Sequence, residues 1–471
     1  MFSNSVVYSF SNLLQRGLTV VLLPLYTSYL SAGEFGAMDL LYQMVLILAL
    51  VTSLGLPHGL NRGVYLDTTT AEERSKMLGA MVALLLPVTL FVAGVAWFSA
   101  EYISRGLFLT PEHVSWIRLS IFFYLALSVQ QLSMQVLRTN QEAKRLAVWS
   151  IGTALIIGTG SVLLVMFFRL GLPGVILANS IGFGVTGLIL AVGFMKQVRL
   201  NLEFSRLTPL FAFALPMMPA LLSRKVLEVS DRYMIPHFHS MNELGVYVMA
   251  NKIAMIFDVA ILVPFLFAWQ PFFYSQAGNK EAPQLFATVT HFMFMILCLA
   301  FLLLGASQGW LLALLGSGKF QQAGPVIFWL LVSKMFVGVQ YLISTGIHLK
   351  KKLPQELLAI LCAAVLNIAL NLVLIPPYKG LGAAVATALS FMFFFAVTFV
   401  IAQRNFPVPY CWARMANVLV QTIAAYGLLA AFSSLAVKYL ILCVYVFTCP
   451  YLDLWRHGDM KRILEMRQRM I

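Results

Sequence analysis

Ser31-Ala32-Gly33-Glu34-Phe35-Gly36 recurs as Ser240-Met241-Asn242-Glu243-Leu244-Gly245, a shared S-x-x-E-x-G at an offset of 209 residues. Without any gap, the same offset sets Gly171-Leu172-Pro173-Gly174-Val175 against Gly380-Leu381-Gly382-Ala383-Ala384. Two anchors this far apart agree on one register, so the chain reads as a duplication. The offset also sets Arg16 opposite Lys225 and Gln131 opposite Gln340. Both cations lie inside long apolar runs. Matching cations in the two halves of a duplicated membrane protein point to a site between the repeats.

Composition fixes the setting. The chain is 60% hydrophobic and 11% charged, with a mean hydropathy of +0.86. Soluble domains carry about a quarter charged residues, so this is an all-α polytopic membrane protein. The five cysteines, Cys298, Cys362, Cys411, Cys443 and Cys449, are scattered without a C-x-x-C. That pattern speaks against a disulfide framework or a metal site. The first apolar run lacks a basic leader and continues past Pro24, which predicts a permanent first helix rather than a cleaved signal.

A helix needs about 20 apolar residues to cross a bilayer. Runs of that length predict about fourteen spans, near 6–30, 36–57, 78–100, 114–137, 146–168, 174–195, 209–235, 245–270, 287–308, 325–348, 355–375, 381–402, 416–435 and 437–454. They group as a six-helix lobe over 1–208, a second over 209–403, and a helix pair with a basic tail over 404–471. With the N-terminus inside, the cytoplasmic loops and tail hold twenty basic residues, among them Lys350, Lys351, Lys352 and Arg404, against five outside: Arg105, Arg169, Lys319, Lys379 and Lys438. This bias places both termini in the cytoplasm. Both repeats then begin on the same side, so they are parallel. The bias also accounts for much of the net charge of +14, and nucleic acid is not needed to explain it. The tail from Lys461 to Arg469 is expected on anionic headgroups.

Seven basic residues remain inside predicted spans: Arg16, Arg118, Arg224, Lys225, Arg232, Lys252 and Lys334. A charge at the bilayer centre costs about 3 kcal/mol or more, so these side chains are expected to face partners, interfaces or a hydrated cavity. The seventh span is the densest, with Arg224, Lys225, Glu228, Asp231 and Arg232. Glu228 has an arginine four residues to either side, which predicts an ion ladder on one face. Lys225 is rotated away from that ladder and is the stronger binding candidate, with Arg16 as its mate. Arg224, Lys252 and Lys334 complete the candidate cations, while Arg118 reads as snorkelling. Asp258, mid-span, reads either as an ion-coupling carboxylate or as one half of a structural pair with Lys225 or Lys252. Glu228 and Asp231 join it as coupling candidates. Glu34 and Glu243 are expected to cap helix starts. Pro24 in the first span, and Pro216 and Pro219 in the seventh, are expected to bend the first helix of each repeat.

Two motif matches carry no chemistry. Gly182-Phe183-Gly184-Val185-Thr186-Gly187 satisfies G-x-G-x-x-G inside an apolar span with no strand before it, which predicts helix packing rather than nucleotide binding. His237-Phe238-His239 is an isolated pair in a loop. No P-loop is present, no catalytic residue and no metal ligand set is assigned, and no cofactor is expected.

Leu23-Pro24-Leu25-Tyr26-Thr27-Ser28-Tyr29-Leu30-Ser31 followed by Glu34-Phe35-Gly36 resembles the opening of the Wzx-type oligosaccharide flippases, the polysaccharide transporter family. Asp231-Arg232-Tyr233 with Glu243-Leu244-Gly245-Val246-Tyr247, and the stretch Asn367 to Pro376 followed by Gly380 to Ala384, resemble further segments of that family. The resemblance spans most of the first 400 residues. It implies the multidrug/oligosaccharidyl-lipid/polysaccharide superfamily fold, with two bundles in a V around a central cavity. It also implies movement of undecaprenyl-pyrophosphate-linked glycans across the bacterial inner membrane by alternating access, with proton or sodium coupling often invoked. Glycan polymerase and chain-length proteins come as partners from the resemblance alone, beside the lipid-linked glycan and membrane lipids. Physics agrees with such a substrate: paired cations attract a pyrophosphate strongly in a low-dielectric cavity. Asn12, Gln15, Gln43, Gln130, Gln131 and Gln340 could hydrogen-bond sugars. Competing readings are an ion-coupled exporter of small molecules, whose cavity should be acidic, and a membrane glycan enzyme, which would need a large polar outer loop. A scaffold role leaves the buried cations without purpose.

Overall fold

The computed structural model describes residues 17, 20–57, 59–60, 71–194, 204–276, 278–316, 318–432 and 434–448. All regular structure among them is helical. In chain order the helices are α1 (Leu23–Tyr29), α2 (Ala32–Thr52), α3 (Ala71–Phe98), α4 (Ala100–Phe108), α5 (Val114–Thr139), α6 (Ala143–Ser161), α7 (Gly171–Phe194) and α8 (Phe204–Phe238). They continue with α9 (Met241–Phe257), α10 (Val263–Ser275), α11 (Ala282–Gly316), α12 (Gly324–Ile343), α13 (Thr345–Leu349), α14 (Leu353–Asn405), α15 (Trp412–Ala431) and α16 (Leu435–Val446). Two wide π turns extend α6 over Val162–Phe167 and join α9 to α10 over Asp258–Leu262.

Among the described residues, nine helical stretches are long and apolar enough to cross a membrane. The difference from about fourteen has local causes. The two predicted spans over 355–402 run together as α14, broken only at Lys379 (φ 54°, ψ −136°) after Pro376 and Pro377. Proline withholds the N–H that would continue the ladder. α8 carries five charges in nine residues, α16 has 12 residues, and much of the first span lies outside the described residues. Pro24 sits in the first turn of α1, where its missing donor costs nothing. α8 remains helical through Pro209, Pro216, Pro219 and Pro236.

The chain forms two compact units. The first comprises Met1–Met249, Leu315–Phe320 and Asn367–Ala383, the second Ala250–Leu314, Gln321–Leu366 and Ala384–Ile471. In lipid, apolar burial gives little drive for helix association, so close packing and polar contacts must hold the bundle. The first unit shows both. A Cβ at Gly187 would lie 2.8 Å from the Gln130 backbone nitrogen, and one at Gly182 would strike Ile157. The G-x-G-x-x-G run is therefore the face on which α7 packs against α5 and α6. Thr153 and Thr186 hydrogen-bond across α6 and α7 at 3.1 Å, and Ser133 donates to the Gly187 carbonyl at 3.2 Å. Large apolar side chains such as Phe91, Phe98 and Val192 point outward, as a lipid-facing surface requires.

The repeat motif forms the same start in both halves. At α2, Ser31 Oγ accepts from the Glu34 N–H at 3.2 Å while Glu34 Oε2 accepts from the Ser31 N–H at 2.9 Å, a complete capping box. At α9, Ser240 Oγ accepts from the Glu243 N–H, again at 3.2 Å. The second anchor docks onto the first: the Gly380 N–H donates to Glu243 Oε1 at 3.2 Å. In the first half a Cβ at Gly171 would lie 3.4 Å from Glu34 Oε1. Glu34 thus caps its own helix start, while Glu243 holds a glycine 137 residues downstream.

Candidate functional site

Two rungs connect α2 to α8 inside the first unit. Lys225 Nζ donates to Gln43 Oε1 at 2.7 Å. Arg232 Nε lies 3.1 Å from Asp39 Oδ2. Asp39 and Gln43 are four residues apart on α2, and Lys225 and Arg232 are seven apart on α8, so each pair shares one helical face. An acid–amide edge from the first half thus meets a two-cation edge from the second. Gln43 is neutral, so this contact orients the ammonium through one of its three donors, and Lys225 makes further contacts besides it.

The same stretch of α8 carries further polar groups. Asp231, 2% exposed, accepts from the Tyr247 hydroxyl, and its Oδ1 accepts from the Arg232 N–H at 2.8 Å. Ser230 donates to Asn367 Oδ1 at 2.7 Å, and Asn371 donates to the same oxygen at 3.0 Å. Asn367 and Asn371 are fully buried. Hydrogen bonding on this scale compensates for the cost of holding polar groups away from water. The expected ladder centred on Glu228 does not form. Arg232 turns to Asp39, and Glu228 is exposed with no ion pair among the described residues. A buried, fixed carboxylate on a neighbouring helix outcompetes a solvated one a turn away.

The second unit holds its own charged pair. Lys334 Nζ meets Asp258 Oδ2 at 2.5 Å, so the partner of Asp258 is Lys334 rather than Lys225 or Lys252. Asp258 opens the π turn, and such turns concentrate at functional positions. Gln340, buried on α12, donates to Glu356 Oε1 at 3.1 Å, and His348 Nε2 lies 3.2 Å from Glu356 Oε2. Arg224 and Lys252 are half-buried. Gln131 is exposed while Gln130 is buried. Asn12, Gln15, Arg16 and the basic tail lie outside the described residues.

Asp39, Tyr247, Ser230 and Glu356 were not singled out by sequence as binding residues. The four-residue step from Asp39 to Gln43 was the available signal, but only a known α2–α8 contact gives it meaning. No three His, Cys, Asp or Glu side chains converge as a metal site among the described residues.

The family described as polysaccharide biosynthesis protein matches residues 1–276. The chain belongs to that family. Among solved structures, the fold is similar to a lipid II flippase, MurJ, in an inward closed conformation, with a TM-score of 0.75, 13% identity, and 97% of this chain and 99% of the other covered. It is also similar to an inward-facing multidrug resistance MATE transporter of the MOP superfamily, at a TM-score of 0.63, 13% identity, and 88% and 95% coverage. A third likeness is to a MOP superfamily transporter from Pyrococcus furiosus, whose binding pocket is described as having reverse polarity (TM-score 0.61, 14% identity, 88% and 96% coverage). Comparison with curated proteins finds no match. This member of the polysaccharide biosynthesis family is thus a multi-pass membrane protein with the helical fold shared by MurJ and the MATE transporters.

Proposed function

We propose that this protein is a flippase that carries an undecaprenyl-pyrophosphate-linked oligosaccharide across the bacterial inner membrane by alternating access. The observation that carries this reading is the Lys225–Gln43 contact: a cation from the second repeat is oriented, within the membrane, by a neutral side chain from the first. Such an ammonium suits a pyrophosphate, whose charge is attracted most strongly where water is scarce. Arg16, its repeat mate, supplies the second cation, with Arg224, Lys252 and Lys334 along the path. Amide side chains, Gln43, Gln131 and Gln340 with Asn12 and Gln15, serve the sugars. The repeats 1–208 and 209–403 are the moving lobes, and both termini are cytoplasmic by the basic-residue bias. Asp258, Glu228 and Asp231 are the carboxylates through which a proton or sodium gradient would couple. Glycan polymerase and chain-length proteins are partners downstream. The chain is not an enzyme in this reading.

The likeness to multidrug transporters keeps one alternative in view, ion-coupled export of small molecules. Cationic drugs need an acidic cavity, whereas the α2–α8 edge sets Lys225 and Arg232 among Asp39, Asp231 and the neutral Gln43.

Translocation of a lipid-pyrophosphate oligosaccharide into proteoliposomes tests the reading. Lys225→Ala and Arg16→Ala, inserted normally, should each lower the rate at least tenfold. Full activity in both variants refutes the pyrophosphate assignment. Wild-type protein that moves no such lipid but exports organic cations supports the alternative.

A further inference from the structure

The turn between α5 and α6 and the turn between α13 and α14 are one structure built from two sequences. In the first, the N–H groups of Asn140, Gln141 and Glu142 donate to the carbonyls of Val136, Arg138 and Leu137 at 2.9, 3.0 and 2.9 Å. In the second, Lys350, Lys351 and Lys352 donate to Gly346, His348 and Ile347 at 3.1, 3.1 and 2.9 Å. The left-handed residue is Gln141 (φ 58°) in one and Lys351 (φ 55°) in the other. The offset here is 210, one more than at the repeat anchors, and it aligns buried Gln340 with buried Gln130.

Identical geometry separates what the fold needs from what the side chains add. Asn-Gln-Glu makes this turn, so three consecutive lysines are not required by it. The first turn carries one carboxylate among its cations: Glu142 pairs with Arg145 at 2.5 Å, beside exposed Arg138 and Lys144. In the second, Lys350, Lys351 and Lys352 are exposed and meet no carboxylate among the described residues. The nearby acid, Glu356, faces away to Gln340 and His348. Arg404 adds a fourth exposed cation. Its end of α14 is tied to the turn by the Asn405–Gln355 hydrogen bond at 3.0 Å, and Lys350 Nζ lies 6.0 Å from the Phe406 ring.

We propose that this turn is a docking site for the headgroup of an acidic phospholipid. Two features favour a lipid over a soluble anion. Leu353, next in sequence to Lys352, and Trp412, which packs edge-on to Phe399 of α14 at 5.0 Å, are both 48% exposed and serve as apolar anchors. The outward face of α14 continues from there as large apolar side chains such as Leu358 and Val365. Cations at the end of a lipid-facing helix, beside a half-exposed tryptophan, match the interfacial zone of a bilayer. The basic-residue bias assigns this end to the cytoplasmic leaflet, where anionic lipid is attracted by such clusters.

Native mass spectrometry of the full chain, purified in neutral detergent and exchanged with phosphatidylglycerol or phosphatidylcholine, tests the site. Wild-type protein should retain phosphatidylglycerol about tenfold better, with the preference falling as salt is raised. K350N/K351Q/K352Q should bring the two lipids close to parity while its thermal unfolding stays near wild type. K144Q/R145Q, in the first turn, should keep the preference. An unchanged preference in the triple variant, or none in the wild type, overturns the proposal. Displacement of the retained lipid by millimolar inorganic pyrophosphate also overturns it, because the site would then be one for a soluble phosphate.

Discussion

Gly36 and Gly245 each face the backbone of the other's helix start: a Cβ at 36 would lie 2.7 Å from the Met241 carbonyl oxygen, and one at 245 would collide with the Ala32 carbonyl. Met241 is itself the repeat counterpart of Ala32. The contact is therefore reciprocal, as an interface about a local two-fold must be. The starts of α2 and α9 meet at the motif that both share. The final glycine of S-x-x-E-x-G is the residue that lets the two backbones touch.

Alanine at either glycine must push these backbones apart. We expect Gly36→Ala and Gly245→Ala to destabilise the protein by about 1–3 kcal/mol each, in the range of core overpacking, with Gly245 the more sensitive. Gly94 in α3 has open space around its would-be Cβ. Gly94→Ala should be neutral or slightly stabilising, since alanine is the better helix former. Thermal unfolding in detergent compares the three.

The same crossing offers a test of movement. A Cβ at Gly33 would lie 3.6 Å from the Met241 Cβ, within the range a disulfide spans. G33C/M241C, made with the five native cysteines replaced, should cross-link readily on mild oxidation. If alternating access separates the repeats here, cross-linking stops translocation and reduction restores it. Complete cross-linking with unchanged transport would show that this crossing stays closed throughout the cycle.

Asp39 and Arg232 form a buried ion pair at 3.1 Å. Removing a single partner leaves an uncompensated buried charge and costs about 3–5 kcal/mol. Asp39→Ala and Arg232→Ala should each lower the yield of folded protein sharply. D39N/R232Q removes both charges of the pair but also takes Arg232 from buried Asp231, so it should recover only part of the stability. Equal losses in all three variants would mean that packing, not charge, holds the contact.

The membrane class, the duplication and the helix-start glutamates were legible because they rest on local pattern: long apolar runs, an exact register and a capping sequence. The G-x-G-x-x-G run was likewise readable from its lack of a preceding strand. The partners were not. Arg232 pairs with Asp39 from another helix rather than with Glu228 on its own, and Asp258 pairs with Lys334 on α12. Intrahelical spacing can list candidate pairs, but the choice among them depends on which helices pack and which carboxylate is desolvated. The break of α14 at Lys379 also blurred the count of spans, because the residues on both sides stay helical across one left-handed residue.

The Lys334–Asp258 pair allows coupling and structure to be told apart. Asp258→Asn leaves the Lys334 ammonium without its carboxylate, so the single variant should lose stability and activity together, which distinguishes nothing. D258N/K334Q keeps a hydrogen-bonding pair of similar size without charge, and it should fold with near wild-type stability. If Asp258 carries the coupling ion, this double variant moves lipid-linked oligosaccharide down its own gradient but gains nothing from an imposed proton or sodium gradient. If the pair only braces the π turn, the double variant responds to the gradient as the wild type does. Flux measured with and without the gradient, in vesicles of equal protein content, decides between the two.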